Sequence, residues 1–261
     1  MLRPRIVPCL LISNGGLVKT RGFKAPKYVG DPINAVKIFN EKQVDELIVL
    51  DIDATVKGVE PNYRLIDKMA QECRMPLCYG GGISESSQAF RIMQSGVEKV
   101  SLGASAILNP DLLGEIAAGA GSQSVVAVLD VRKRKGVFSN GYQVFTHNGK
   151  ILRDGNPLEI AANFQQAGAG EILVNCIDND GEMTGYNIDL ARLILKEVSI
   201  PTTFLGGSGS IDHMIELVSA CGIVGVAAGS FFVFKGNYRA VLINYPSQEQ
   251  RDKITLSTRR L

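Results

Sequence analysis

The sequence has no tryptophan and only two histidines, His147 and His213, which are not neighbours in the chain. A metal centre built on imidazole therefore has too few ligands. The five cysteines (Cys9, Cys73, Cys78, Cys176 and Cys221) are odd in number and show neither a CxxC pair nor a Cys/His ligand spacing. Three of them sit in apolar runs that read as strands. The expectation is buried free thiols in a reducing cytoplasm, with no metal and no cofactor. No apolar stretch approaches the length of a spanning helix, and the start MLRPRIVPCLLIS lacks a separate apolar region with a cleavage site. An excess of one charge is missing as well. The 28 basic and 26 acidic side chains leave a net charge of +2, which gives no footprint for nucleic acid or an acidic membrane. The basic residues Arg251, Lys253, Arg259 and Arg260 read as a solvated end.

What is present is alternation. Among 261 residues, 45% hydrophobic, short β-rich runs appear near Ile6–Ile12, Glu46–Ile52, Pro76–Tyr79, Lys99–Leu102, Val125–Val131, Glu171–Cys176, Thr202–Leu205 and Ile223–Ala227. Between them lie amphipathic patterns such as Leu65–Met69, Ser87–Ser95, Leu158–Ala167 and Ile211–Ala220. Such alternation predicts parallel strands joined by crossover helices. Eight units in one chain of this length predict a closed (β/α)8 barrel, and no GxGxxG follows the first strand to suggest a dinucleotide fold. The segment Asn14–Asp31, with four glycines, reads as a long loop on the active face, either a lid or a static surface loop. Val137–Phe145 reads as a hairpin turning at Asn140-Gly141.

The second half repeats the first at an offset of about 125 residues. Glu46–Asp53 lies on Glu171–Asp178, Cys78–Ser84 on Phe204–Ser210, Val97–Ala104 on Ile223–Ser230, and Ile6–Ser13 on Val125–Arg132. One barrel over 1–261 follows, made of half-barrels at about 1–122 and 123–245 with a tail at 246–261. A site on its axis should have approximate two-fold symmetry.

Glycine-rich turns end four strands: Gly81 and Gly82, Gly103 and Ala104, Gly206 and Gly207, and Gly229 and Ser230. Backbone N–H groups free of side chains, next to helix starts, suit phosphate. The symmetric pairs predict two phosphate sites facing each other across the mouth, against the plain alternative of tight turns. Acidic residues also gather at strand ends: Asp51, Asp53, Asp130, Asp178 and Asp180, with Lys19 on the first loop. They read as acid–base or ligand-holding groups, although Asp53 and Asp178 fit helix N-caps equally well. The repeat exposes one absence. The mate of Asp130 is Leu11, so a mechanism needing two facing carboxylates lacks one.

At the other pole Arg5, Glu46, Lys99 and Glu171 open four strands with alternating sign. Charges pointing into a narrowing barrel must pair. The ring they form reads either as a stabilising plug or as a gate.

Together these blocks resemble the cyclase subunit of imidazole glycerol phosphate synthase over nearly the whole length. The resemblance is carried by Arg5–Leu10, Asp45–Ile52, Gly80–Ile83, Gly168–Leu173, Ile177–Gly181 with Gly185-Tyr186, and Ala227–Phe231. It implies a HisH-like glutaminase docked at the N-terminal pole near Glu98 and Gln123, an ammonia gate at Arg5, Glu46, Lys99 and Glu171, and active-site roles for Lys19, Asp51, Asp130 and Asp180. Leu11 falls on the family's second catalytic aspartate, Asn175 on a usual Thr, Leu205 on a Ser and Gly103 on an Asn. The Lys27–Ala35 stretch resembles a glycan-associated branch of the family. That branch implies ammonia passed to an ATP-dependent sugar amidotransferase in surface-glycan synthesis. Histidine-pathway cyclisation remains the alternative.

Overall fold

The computed structural model describes residues 3–134, 141–236 and 238–258. Eight strands run parallel in chain order: β1 (Arg5–Ser13), β2 (Leu47–Asp51), β3 (Leu77–Gly80), β4 (Lys99–Leu102), β5 (Val125–Lys133), β6 (Glu171–Cys176), β7 (Thr202–Leu205) and β8 (Gly225–Ala228). Each pairs with its successor. β8 pairs with β1, and β5 with β6, so the sheet closes on itself as a (β/α)8 barrel without an edge. β-Branched and small residues fill strands buried on both faces, as a helix-covered parallel sheet requires.

The predicted amphipathic patterns become the helices Tyr63–Glu72, Ser86–Gln94, Pro157–Gln166 and Ile211–Cys221. Each begins at a polar cap, for example Asn62 accepting from Leu65 N at 3.1 Å and Ser210 from His213 N at 3.2 Å. Their buried residues Ile66, Met69, Ile92, Phe164 and Leu217 join the outer core between helices and strands. A second, separate apolar cluster fills the barrel interior: Val7, Cys9, Ile48, Cys78, Val126, Val128, Leu173, Leu205 and Ala227, with Leu11 and Leu50 packed onto its upper end. The interior is therefore a largely apolar column, with the charged ring below it and the mouth above.

Three expectations change. Asn14–Asp31 is a β-hairpin, Gly16–Arg21 against Lys24–Gly30, and not a loop. Its first strand continues the sheet by pairing antiparallel with β1, Leu11 opposite Val18. Asn14-Gly15 makes the first two-residue turn, both in the left-handed region (φ 49° and 75°), and Gly22-Phe23 the second (φ 57° and 62°). These are the dihedrals that tight hairpins need. After β5, Tyr142–Thr146 pairs back on β5 itself, with Tyr142 opposite Lys133, and not on Val137-Phe138 across an Asn140-Gly141 turn; Val137, Phe138 and Asn140 lie outside the described residues. A third strand, Ile151–Arg153, extends it. Finally, Gln248–Ser257 within the tail is a helix started by a Ser247/Gln250 capping box, with Ile254 fully buried. Arg259 and Arg260 lie outside the described residues.

The two hairpins cross the mouth from opposite halves. The β1 hairpin rests on the loop after β6: Gly22 N donates to the Asp180 carbonyl at 2.9 Å, and Thr20 Oγ1 and Phe23 N donate to its carboxylate at 2.6 and 3.0 Å. The extension after β5 rests on the loop after β2, where Asn148 Nδ2 donates to the Ile52 carbonyl at 2.7 Å. Their tips meet. A Cβ on Gly149 would lie 3.4 Å from the Phe23 ring.

Candidate functional site at the barrel mouth

Beneath the crossed hairpins lies a cavity of about 650 Å³, large enough for a small-molecule ligand. Lys19, Asp51, Asp130 and Asp180 all line it, as do Gly81, Gly103, Ala104, Gly206, Gly207, Gly229 and Ser230. Gly82 does not; its N–H is turned to Thr55 Oγ1 at 3.3 Å. Gly103 and Gly229 stand at the N-caps of the short helices Ala104–Leu108 and Ser230–Val233, with no side-chain cap. Glycine is obligatory at Gly207 (φ 106°), where a Cβ would lie 1.9 Å from the Gly185 carbonyl oxygen.

The acidic side chains are employed differently. Asp51 Oδ1 accepts from Asp53 N and Ala54 N at 3.0 and 3.2 Å, closing the start of the short helix Ala54–Lys57. Burial nevertheless pushes its carboxyl up. Asp53 holds the N-cap position without a side-chain cap bond. It binds the first hairpin turn instead, accepting from Asn14 N at 2.8 Å and Ser13 Oγ at 3.1 Å. Asp178 accepts from Lys133 N at 2.8 Å and fixes the end of β5. Asp180 is the hairpin anchor already described. Asp130 alone is free of backbone donors among these hydrogen bonds; its partner is Asn175 Nδ2 at 3.2 Å. Burial, reinforced by the charge of Asp180 and opposed by the Asn175 bond, pushes its carboxyl up to about 7.

Lys19 is buried, at 6% exposure. Its ammonium is bonded to the Cys9 carbonyl and lies over Gly229. Burial pulls its pKa down. The thiol of Cys9 is pushed up to about 12 by burial, so it is neither nucleophile nor ligand at neutral pH. Among the described residues no group of three or more His, Cys, Asp or Glu is placed to hold a metal ion.

The two halves of the mouth differ at matched positions. On β5 and β6, Asp130 sits beside Asn175 in register. The symmetry-related pair on β1 and β2 is Leu11 beside Leu50. One wall is polar and hydrogen-bonded; the other continues the apolar column upward. The role of Asn175 as partner of Asp130 escaped the sequence reading, though the repeat already placed it opposite Leu50.

Because the folded-state pKa of Asp130 lies above the ordinary carboxyl value, this group's contribution to stability is complete below about pH 4 and is lost as pH rises through about 7. Relative to Asp130→Asn, the wild-type chain should lose about 2–4 kcal/mol between pH 4 and pH 8, the higher end corresponding to full burial. Urea unfolding across that pH range measures it. A constant difference between the two proteins would show that Asp130 is not perturbed.

At the opposite pole the four charges close into a ring. Arg5 bonds Glu46 and, at 2.6 Å, Glu171, and Lys99 bonds Glu46 at 2.9 Å and Glu171 at 2.8 Å. Thr203 Oγ1 donates to Glu171 at 2.6 Å. Both carboxylates are buried. Burial alone would push Glu171 up, but the charges and bonds of Arg5 and Lys99 outweigh it and hold the carboxyl below the usual range. Glu98 and Gln123 are exposed near this pole. Glu98 spends one carboxylate oxygen on Leu77 N at 2.7 Å, tying the start of β3.

Residues 5–239 match the family described as histidine biosynthesis protein. The chain belongs to it. A relative from Leptospira borgpetersenii, named "Putative imidazole glycerol phosphate synthase subunit HisF", is 52% identical over 97% of this chain and 99% of its own. Relatives from Vibrio vulnificus (subunit hisF3) and Pseudomonas aeruginosa (subunit hisF2) carry the same kind of name at 51% and 50% identity. They too are matched over 97% of this chain, and over 96% and 99% of their own length. The protein is thus a HisF-like barrel. No helix among the described residues is long and apolar enough to cross a membrane.

Proposed function

We propose that this HisF-like barrel is the ammonia-receiving subunit of a cytoplasmic glutamine amidotransferase. A HisH-like glutaminase docks at the N-terminal pole beside Glu98 and Gln123, and ammonia enters past the ring of Arg5, Glu46, Lys99 and Glu171. The ammonia is then passed to an ATP-dependent sugar amidotransferase that amidinates a sugar for surface glycan. One observation carries this reading: the charged ring is complete, while the wall opposite Asp130 is Leu11 beside Leu50. A neutral small molecule suits the apolar column between them better than any charged one does. Entry requires the ring to open. Lys99, tethered through one nitrogen on a flexible stem, is the member whose departure leaves both Arg5 pairs intact.

The cavity keeps glycine turns for the phosphates of a ligand, with Lys19, Asp51 and Asp180 around it. The names of the relatives and the retained Asp130 favour one alternative, cyclisation in histidine biosynthesis by Asp130, alone or with Asp51. Purified with its glutaminase, the barrel should fail to turn over the imidazole-pathway substrate and fail to rescue a histidine auxotroph. Normal turnover with that substrate overturns the first reading in favour of the second.

A further inference from the structure

The cavity at the mouth has an apolar side that the passage of ammonia does not require. Next to β1 and β2, Leu11, Leu50 and Ile52 are half-buried and Val56 is 37% exposed, and all four line the cavity. Their surface faces open space, so apolar area is left to solvent. Val128 and Leu205 line the cavity too, but both are buried, and Phe145 is covered by the Arg132 guanidinium, 4.5 Å from the ring centroid. The open apolar surface is therefore concentrated on one side. The polar side chains there are engaged: Ser13 donates to Asp53, and Asp51 and Asp53 hold backbone N–H groups. Apolar surface inside a cavity with a polar rim marks a place for a ligand.

The facing side is polar, with Asp130 on β5 and His147 and Lys150 on the extension after it. Lys150 and, on the β1 hairpin, Lys24 are exposed, line the cavity and form no ion pair among the described residues. Two free ammonium groups at the rim favour an anionic ligand. Strand order fixes how such a ligand lies. The glycine turns after β7 and β8 face those after β3 and β4, with β1 and β2 between them on one flank and β5 and β6 on the other. A molecule held at these turns lays one edge along the leucines and the other along Asp130. A hydroxyl on the leucine edge would give up its bonds to water and gain none. An alkyl group there removes apolar surface from solvent instead.

We infer that the mouth binds a phosphorylated polyol in which an alkyl group replaces one hydroxyl, and that Leu11, Leu50 and Val56 set this preference. The ligand rests on the phosphate-binding reading of the glycine turns given above, and not on the ammonia route. Leu11 then does more than remove a carboxylate. An acid at that position would demand a donor from the ligand, whereas leucine selects a group that has none.

The test is isothermal titration calorimetry of the full chain with D-glucose, D-galactose and D-mannose 1-phosphates, each beside its 6-deoxy counterpart. The members of a pair differ by one oxygen. At least one pair should bind saturably, with the deoxy member tighter by about tenfold or more, the discrimination that one small group commands in an apolar pocket. Leu11→Asn, close to leucine in volume, should bring that pair near equality, and Leu11→Met should keep the preference. Val56→Ser, on the short helix after β2, should shift it in the same direction as Leu11→Asn and carries the test if that variant lacks a native amide spectrum. Lys24→Gln combined with Lys150→Gln should weaken both members alike. Equal affinity within every pair, or tighter binding of the hydroxylated member, overturns the preference and leaves the phosphate sites standing. A deoxy preference that survives both Leu11→Asn and Val56→Ser overturns the assignment to these residues. No binding of any ester or of inorganic phosphate overturns the phosphate reading as well. A glutaminase that does not dock leaves all of these titrations untouched.

Discussion

Glu171→Gln should destabilise the barrel by about 3–5 kcal/mol at neutral pH, the usual cost of removing one partner from a buried ionic network. Glu171 is 5% exposed and receives Arg5, Lys99 and Thr203 together. Without its charge two cations share Glu46, and one unit of positive charge stays buried. Urea unfolding at pH 7 gives the value. The contrasting variant replaces all four ring residues by apolar side chains of similar volume. It should lose far less, because a buried ion network is weak evidence for stability when compared with a well-packed apolar plug. If both variants lose equally, the ring is ordinary packing. If the apolar one stays stable yet no longer accepts ammonia from the glutaminase, the ring is retained for passage.

Leu11→Asp should give the larger functional effect. It returns a carboxylate to the wall facing Asp130, and a positioned acid or base contributes about 10²–10⁴-fold in rate. Turnover of the imidazole-pathway substrate, supplied with ammonium salt so that no glutaminase is needed, should rise from background by a factor in that range. Two carboxylates facing each other raise one another's pKa, so the gain should shift with pH in step with the Asp130 carboxyl titration. Wild-type turnover already at the variant's level would show that Leu11 costs nothing and that the second reading is right. No gain would place the loss in Gly103, Asn175 or Leu205, which also line the cavity.

The barrel was legible because its strands are short, apolar and regularly spaced. The repeat then located the mouth and the mismatch of Asp130 with Leu11. Turn chemistry was read unevenly. An Asn-Gly dipeptide favours a tight hairpin turn, and Asn14-Gly15 makes one, yet the further glycines around it resemble a loop in sequence. The Gly22-Phe23 turn gave no signal at all: phenylalanine at positive φ is decided by docking onto Asp180, not by local preference. Side-chain employment was the least legible. Asp51, Asp53 and Asp180 looked alike as acids at strand ends, and only their backbone donors separate them from Asp130. Such partners come from segments far apart in sequence, where spacing carries no information.

The ring divides unequally between the two repeats. Arg5, Glu46 and Lys99 come from the first, and Glu171 alone from the second. Severed between Ser122 and Gln123, one fragment would carry surplus positive charge at its narrow end, and the other a solitary acid with only a threonine beside it. Neither fragment could pair with a copy of itself without stacking like charges. Mixing the two restores neutrality, so the chemistry of the floor selects the hetero-pairing and tells each half which partner to take.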